Sequence, residues 1–386
     1  MTTKARPCVI CGSIDTVSVF SIEPSVSTDR QILAVPVDNW FCNVCGSVWN
    51  EGGARIDAPR FYAEQYDLLG DSALSEFQVH VDGGARGESD AILEFLERSP
   101  FAEAGSILEI GCGKGVLLGK FLQNRPRWSA YAIEPSLNAT EYFKRILPEV
   151  AIHEGPFETA PFRDRKFDFV AVSGVLEHVP QPVEFLARVA AAVAPGGRAY
   201  IGVPNFLVKP DDLLVFDHLT RFTPETLDAL YRRLGLLLER RDARNDRVWL
   251  WDMVKTVGEP PAATIDVAAA RTRVDSDIAF VKKSLVAFDR MLSEATPGET
   301  LALYGQGVLG LWARNSAGER AGSIRYLLDD NAAIWGSRKA GLEVRGSKAI
   351  PELGVTRVFI AANPCYHDRM RANLVAVGIG ADRIYA

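Results

Sequence analysis

Four of the six cysteines stand in two matching turns, Cys8-Val-Ile-Cys11-Gly-Ser and Cys42-Asn-Val-Cys45-Gly-Ser. At this spacing each turn points two sulfurs inward, and its glycine lets backbone N–H groups face sulfur. Cys8, Cys11, Cys42 and Cys45 therefore suit a tetrahedral, closed and hence structural Zn2+ site. Two disulfides are the alternative reading, disfavoured by the lack of an apolar leader at the amino terminus. Cys112 and Cys365 stand apart. A second chemical signal is Asp217-His218, placed just before Thr223-Pro224, a predicted helix start with Thr223 as N-cap. An acid beside an imidazole is the pairing of a general base: the imidazole titrates near neutrality and the carboxylate stabilises its charged form. The plainer reading is a polar loop that packs Phe216 and Phe222.

These groups need a frame. Ile107-Leu-Glu-Ile-Gly-Cys-Gly-Lys-Gly115 reads as a buried strand feeding a tight turn, with Glu109 at its end. Gly111, Gly113 and Gly115 remove Cβ atoms where the backbone must bend and a ligand must lie close. About twenty residues on, Trp128–Glu134 reads as a second strand ending in an acid, where a ribose meets a carboxylate. Glu134 is that candidate, with helix capping as its alternative. Phe167–His178 is a near-continuous apolar run, as expected of a parallel strand covered on both faces. Ser173, Glu177 and His178 lie at its carboxyl end, where ligands gather in open α/β sheets, although Glu177 and His178 could merely cap the following helix. That helix is predicted over Pro182–Val193, ending at Pro195-Gly196-Gly197 before a strand from Arg198 to Val203.

The order strand, glycine turn, helix, strand with acid, strand, helix, Pro-Gly-Gly, strand resembles the class I S-adenosylmethionine (SAM) methyltransferases. The resemblance implies an α/β, Rossmann-like core binding SAM through Glu109, the three glycines and Glu134. It adds Phe157 and Glu158 as the segment flanking the adenine, with a core role the alternative for Phe157. Aromatic lead-ins such as Phe61-Tyr62-Ala-Glu-Gln-Tyr66 often close over such pockets, so Tyr62, Tyr66 and His80 are substrate-side candidates. An amphipathic docking helix would use the same aromatics.

After Gly258-Glu-Pro-Pro261, which reads as a linker, a long helix is predicted over roughly Ile265–Ala295. Leu301–Gly310 then runs a strand into Gly305-x-Gly307-x-x-Gly310, and Ile324–Asp330 supplies an acid-ended strand, a second Rossmann-like unit. The whole chain is thereby similar to the three-domain sugar C-methyltransferases: a zinc-binding domain over 1–55, a SAM-dependent core over 56–257 and a smaller Rossmann-like domain over 258–386. That resemblance implies methylation of a nucleotide-linked keto-deoxysugar through an enolate generated by His218, with Asp217 orienting the imidazole. The family carries Glu-His where this chain has Asp217-His218, so O- or N-methylation of another glycan or small molecule stays open. A nicotinamide-dependent oxidoreductase using the second glycine turn is a further alternative.

Composition sets outer bounds. The 386 residues exceed a usual single domain. A net charge of −6 and pI near 5.6 speak against a general nucleic-acid or anionic-membrane surface. Arg240-Arg241-Asp-Ala-Arg244 is expected to be a solvated edge. No run approaches the eighteen or so apolar residues of a membrane helix, so a cytoplasmic monomer or homodimer is expected.

Overall fold

The computed structural model describes residues 6–51, 60–66, 78–81, 84–243, 248–256 and 265–386. The linker read at 258–261, Phe77 and Arg244 lie outside the described residues, as does the His80 side chain. Two compact units interleave along the chain. The first takes Met1–Ser18, Trp40–Leu207 and Asp217–Ala270; the second takes Val19–Asn39, Val208–Phe216 and Arg271–Ala386.

In the first unit, β1 (Gly105–Ile110), β2 (Trp128–Glu134), β3 (Ala151–Glu154), β4 (Phe167–Ser173), β5 (Val193–Pro204), β6 (Leu237–Asp242) and β7 (Trp249–Lys255) form one sheet. Its order is β3-β2-β1-β4-β5-β7-β6. The first five strands of that order pair in parallel, and β7 runs antiparallel to both β5 and β6. Parallel strands covered on both faces must be apolar throughout, which is why Phe169, Val170, Ala171 and Val172 are all buried. Strand order reverses between β1 and β4, and a ligand crevice belongs at the carboxyl ends flanking such a switch point. Both the glycine turn and the Ser173–His178 segment begin there.

The helices follow local chemistry. Gly115, left-handed at φ 75°, opens α1 (Val116–Gln123); Ser136 caps α2 (Leu137–Ile146) by accepting from the Ala139 amide. α3 covers Pro182–Ala192. β5 starts earlier than the sequence suggests, at Val193 rather than Arg198. Pro195-Gly196-Gly197 is absorbed as an irregularity in its pairing with β4, and Gly196 takes φ +79°. Thr223 and Thr226 form a reciprocal capping box at the start of α4 (Pro224–Leu234), which Gly235 ends in the left-handed conformation.

Arg240 and Arg241 are not a solvated edge. Arg241 donates through Nε and Nη2 to the two oxygens of buried Asp252, both at 2.7 Å, and Tyr231 donates its hydroxyl to the same carboxylate. Arg240 stacks its guanidinium 4.5 Å from the Phe95 ring centre. Their partners lie on other strands and helices, which charge patterning along the chain does not reveal.

In the second unit, β8 (Thr300–Tyr304), β9 (Ile324–Leu328), β10 (Arg338–Lys339), β11 (Leu342–Arg345), β12 (Val355–Ile360) and β13 (Ile384–Tyr385) are ordered β10-β11-β9-β8-β12-β13. All neighbours are parallel except β10 with β11. The long helix α5 covers Val267–Glu294, and α6 (Val308–Ala317) follows the second glycine turn. No helix among the described residues is long and apolar enough to cross a membrane.

Candidate active site and cysteine centre

The glycine turn after β1 has two different faces. A Cβ on Gly111 would fall 2.2 Å from Val175 Cγ2, and one on Gly115 would fall 2.5 Å from the Phe143 ring, so these glycines permit close packing. At Gly113 a Cβ would meet no protein atom within 4 Å. All three take positive φ, of +72°, +50° and +75°. The Gly113 amide donates to Glu134 Oε2 at 2.8 Å, and the Ser136 amide donates to Oε1 at 2.9 Å, so the acid ending β2 is fixed against the turn.

Glu109 is 4% exposed, and its Oε2 has no hydrogen-bond partner among the described residues. Burial, and after it the charge of Glu134, pushes its carboxyl up to about 8; burial also raises that of Glu134.

Past β4, the packing of Gly111 on Val175 brings the Leu176–His178 turn alongside the glycine loop. There the candidates from three distant stretches meet. Tyr62 Oη lies 3.0 Å from His178 Nδ1, the same nitrogen lies 2.8 Å from the Asp217 carbonyl oxygen, and the His178 and His218 rings are 4.9 Å apart. A carbonyl can only accept, so Nδ1 carries the proton in that bond. The Asp217 carboxylate is 3.7 Å from the same Nδ1. Tyr66 packs edge-on against Tyr62, 5.3 Å between ring centres. Glu177, His178 and His218 present donor atoms within 4.8 Å of one another. His218 and Asp217 are 3% and 1% exposed, and Tyr62, Tyr66 and His178 are partly buried beside them.

Other candidates sit further out. Phe157 is buried against Phe185, and Glu158 pairs with Arg188 at 2.9 Å. The segment nonetheless follows β3, whose Glu154 is paired with Glu134. Ser173 ends β4 opposite Gly202, whose missing side chain leaves room for the Tyr200 hydroxyl and Ser173 Oγ. Sequence reasoning missed Arg221. It is 1% exposed and donates from Nη1 to the His218 carbonyl. A lone arginine in a Thr-Arg-Phe-Thr run carries no signal of such burial.

Residues 84–240 match a family model described as a methyltransferase domain. The match is to a methyltransferase domain and takes in less than half of the chain. A 37.1 kDa protein of a Streptomyces fradiae transposon is 30% identical over 133 residues, covering 33% of this chain and 38% of its own. The ubiquinone biosynthesis O-methyltransferase of Hydrogenovibrio crunogenus is 24% identical over 173 residues, 38% of this chain and 68% of its own. A solved glycopeptide N-methyltransferase bound to SAM is 16% identical, covering 44% of this chain and 94% of that one, with a TM-score of 0.36. The match thus spans from 38% to 68% of the two curated relatives' lengths.

Domains of this class use SAM, and the residues of the methyltransferase domain fit it. The open side of Gly113 is space that a side chain would fill, and the orphaned, buried Glu109 oxygen is an acceptor awaiting a donor such as an ammonium group.

The cysteines also gather in the first unit. Cys8 and Cys45 sulfurs are 3.6 Å apart, Cys11 and Cys42 sulfurs 3.5 Å, and none of the four is in a disulfide. Tetrahedral zinc with bonds of about 2.3 Å places its sulfurs roughly 3.8 Å apart. Amides of Ile10 and Cys11 face Cys8 Sγ, and that of Val44 faces Cys42 Sγ. Hydrogen bonds from Cys42 and Cys45 hold the Cys8 thiol far below its ordinary range, while donation to Cys42 and Cys8 pushes Cys45 far above. Four sulfurs gathered this closely, with backbone amides facing two of them, are a set that a divalent cation would hold as thiolates.

Proposed function

We propose that the protein transfers a methyl group from SAM to a small-molecule acceptor, best fitted by a nucleotide-linked sugar, with His218 as the base. The observation carrying this reading is the convergence of Tyr62, His178, Asp217 and His218 beside the glycine turn. Bound SAM supplies an electrophilic methyl group on a sulfonium centre. Glu109, Gly113 and Glu134 would hold it. His218 removes a proton from the acceptor, generating an enolate from a keto sugar or an alkoxide from a hydroxyl. His178 spends its Nδ1 proton on the Asp217 carbonyl, and the Tyr62 hydroxyl beside it is the group able to donate to a developing oxyanion. Burial of Asp217 and His218 strengthens the interactions that they make.

The sugar reading is supported by the combination of a four-cysteine knuckle, a SAM-type core and a second parallel-sheet unit in one chain, with carbon as the methylated atom. The knuckle cysteines would hold one structural zinc. An oxidoreductase built on the second glycine turn is disfavoured by packing: a Cβ on Gly305 or Gly307 would strike the Ala361 carbonyl at 2.8 and 2.6 Å, and the Gly307 amide already donates to that oxygen. Those glycines are spent on the protein's own backbone rather than on a pyrophosphate.

The test is NMR of products formed from methyl-labelled SAM with a panel of nucleotide-linked keto and hydroxy sugars. A new C-methyl resonance is expected. A methoxy resonance would move the reaction to oxygen, and transfer to none of the panel would remove the sugar.

A further inference from the structure

We infer that Arg221 is a positioning residue through which the cysteine knuckle sets the placement of His218; the inference rests on His218 being the base. A guanidinium withdrawn from water must use its donors within the protein. Arg221, at 1% exposure, gives Nη1 to the carbonyl oxygen of His218. Arg221 does not lie in an isolated loop. It pairs antiparallel with Val48, Thr220 pairs with Trp49, and the Asn50 amide donates to the Leu219 carbonyl at 2.8 Å. Three consecutive residues after His218 are thus fixed in register by three residues that follow the second cysteine turn.

The knuckle reaches that strand directly. Ser47, next to Val48, places its hydroxyl 3.0 Å from Cys8 Sγ and 3.2 Å from Cys45 Sγ, and its carbonyl accepts the Cys42 amide at 3.0 Å. On its far side the same segment is tied to the end of β4: the Leu219 amide donates to the Glu177 carbonyl at 2.6 Å and the Asp217 carbonyl accepts from His178. The order of contacts is therefore cysteine sulfurs, Ser47, Val48, Arg221, His218. A metal drawing the four sulfurs together fixes Ser47–Asn50, and through Arg221 the backbone from which the imidazole projects. The knuckle then does more than staple a fold.

The experiment uses full-length protein carrying carbon-13-labelled histidine, with the five imidazole signals of His80, His153, His178, His218 and His367 assigned by single substitutions. Zinc-loaded wild type, chelator-stripped wild type, Arg221→Leu and Arg221→Lys are compared, each also titrated with SAM. The expected result is that Arg221→Leu and zinc removal shift the His178 and His218 signals while His153 and His367 stay in place and SAM affinity stays within about twofold. Arg221→Lys, which keeps a charged donor, should return the signals toward wild type. Unmoved His178 and His218 signals in Arg221→Leu would overturn the inference. Displacement of His153 together with them would also overturn it, by making the knuckle a general determinant of folding. Should Arg221→Leu fail to fold, Arg221→Lys and zinc removal decide on the same signals. Failure of the base assignment reads out separately, as undiminished methyl transfer by His218→Ala.

Discussion

The carbonyl oxygen of Asp217 lies 2.8 Å from Nδ1 of His178, so a main-chain atom fixes the imidazole's tautomer. Asp217→Asn keeps that carbonyl. It should therefore lower methyl transfer by less than about tenfold, the scale of one hydrogen bond near 1 kcal/mol, whereas His178→Ala, which removes the ring, should cost more. Steady-state rates of the two variants make the comparison, and a larger loss in Asp217→Asn would give the carboxylate, 3.7 Å from the same nitrogen, a part in holding His178.

Gly111 and Gly113 separate packing from ligand binding. Gly111→Ala drives a methyl group to 2.2 Å from Val175 and should destabilise the fold. Gly113→Val meets no protein atom at its Cβ, so it should remain folded, bearing about 1–2 kcal/mol of left-handed strain, and lose SAM binding. Thermal melts beside calorimetric titrations separate the two, and normal SAM affinity in Gly113→Val would place the cofactor elsewhere.

Glu109 makes a signed prediction about pH. Its carboxyl is raised from 4.5 to about 8 in the folded chain, so between these values the unfolded chain ionises while the folded chain keeps the proton. The folded state binds more protons, and the stability contributed by Glu109 is present below about pH 4.5 and lost as pH rises through 8. Glu109→Gln does not titrate. Chemical denaturation from pH 5 to 9 should show this variant gaining stability relative to wild type as pH rises, and a pH-independent difference would contradict the assignment.

The Arg241–Asp252 pair should matter for stability and not for SAM. Removing Arg241 strands an ion that is 0% exposed, and breaking such a buried pair costs about 3–5 kcal/mol. Arg241→Ala is expected to lower the denaturation midpoint sharply, whereas replacement of both partners by apolar residues should recover much of the loss.

Elemental analysis should find one zinc per chain, lost in a Cys8→Ser, Cys42→Ser double variant. Because the site closes a contact between turns some thirty residues apart, its loss should also lower thermal stability. Retained zinc in the double variant would remove the knuckle as the ligand set.

Local signals were legible in the amino-acid sequence. The glycine turn, the Thr223 cap and the two cysteine turns each lie within a few residues and obey short-range rules of backbone conformation and capping. What was hidden depends on register between remote segments. Nothing in Val48–Asn50 announces that it pairs with Thr220–Arg221, and nothing in Arg240-Arg241 announces Asp252 or Phe95. The meeting of Tyr62 with His178 depends on the same long-range closure. Likewise, Gly305-x-Gly307-x-x-Gly310 has the spacing of a phosphate-binding turn, and only the position of the Ala361 carbonyl reveals its packing use.

The central claim is that one set of residues holds SAM and a separate residue, His218, moves the proton. It is tested most directly by titrating SAM calorimetrically into wild type and His218→Ala and measuring label transfer on the same samples. The account predicts near-equal SAM affinity and a loss of transfer of at least about 100-fold, the scale of general-base catalysis. Equal loss of both would make His218 structural, and unchanged transfer would take it out of the chemistry.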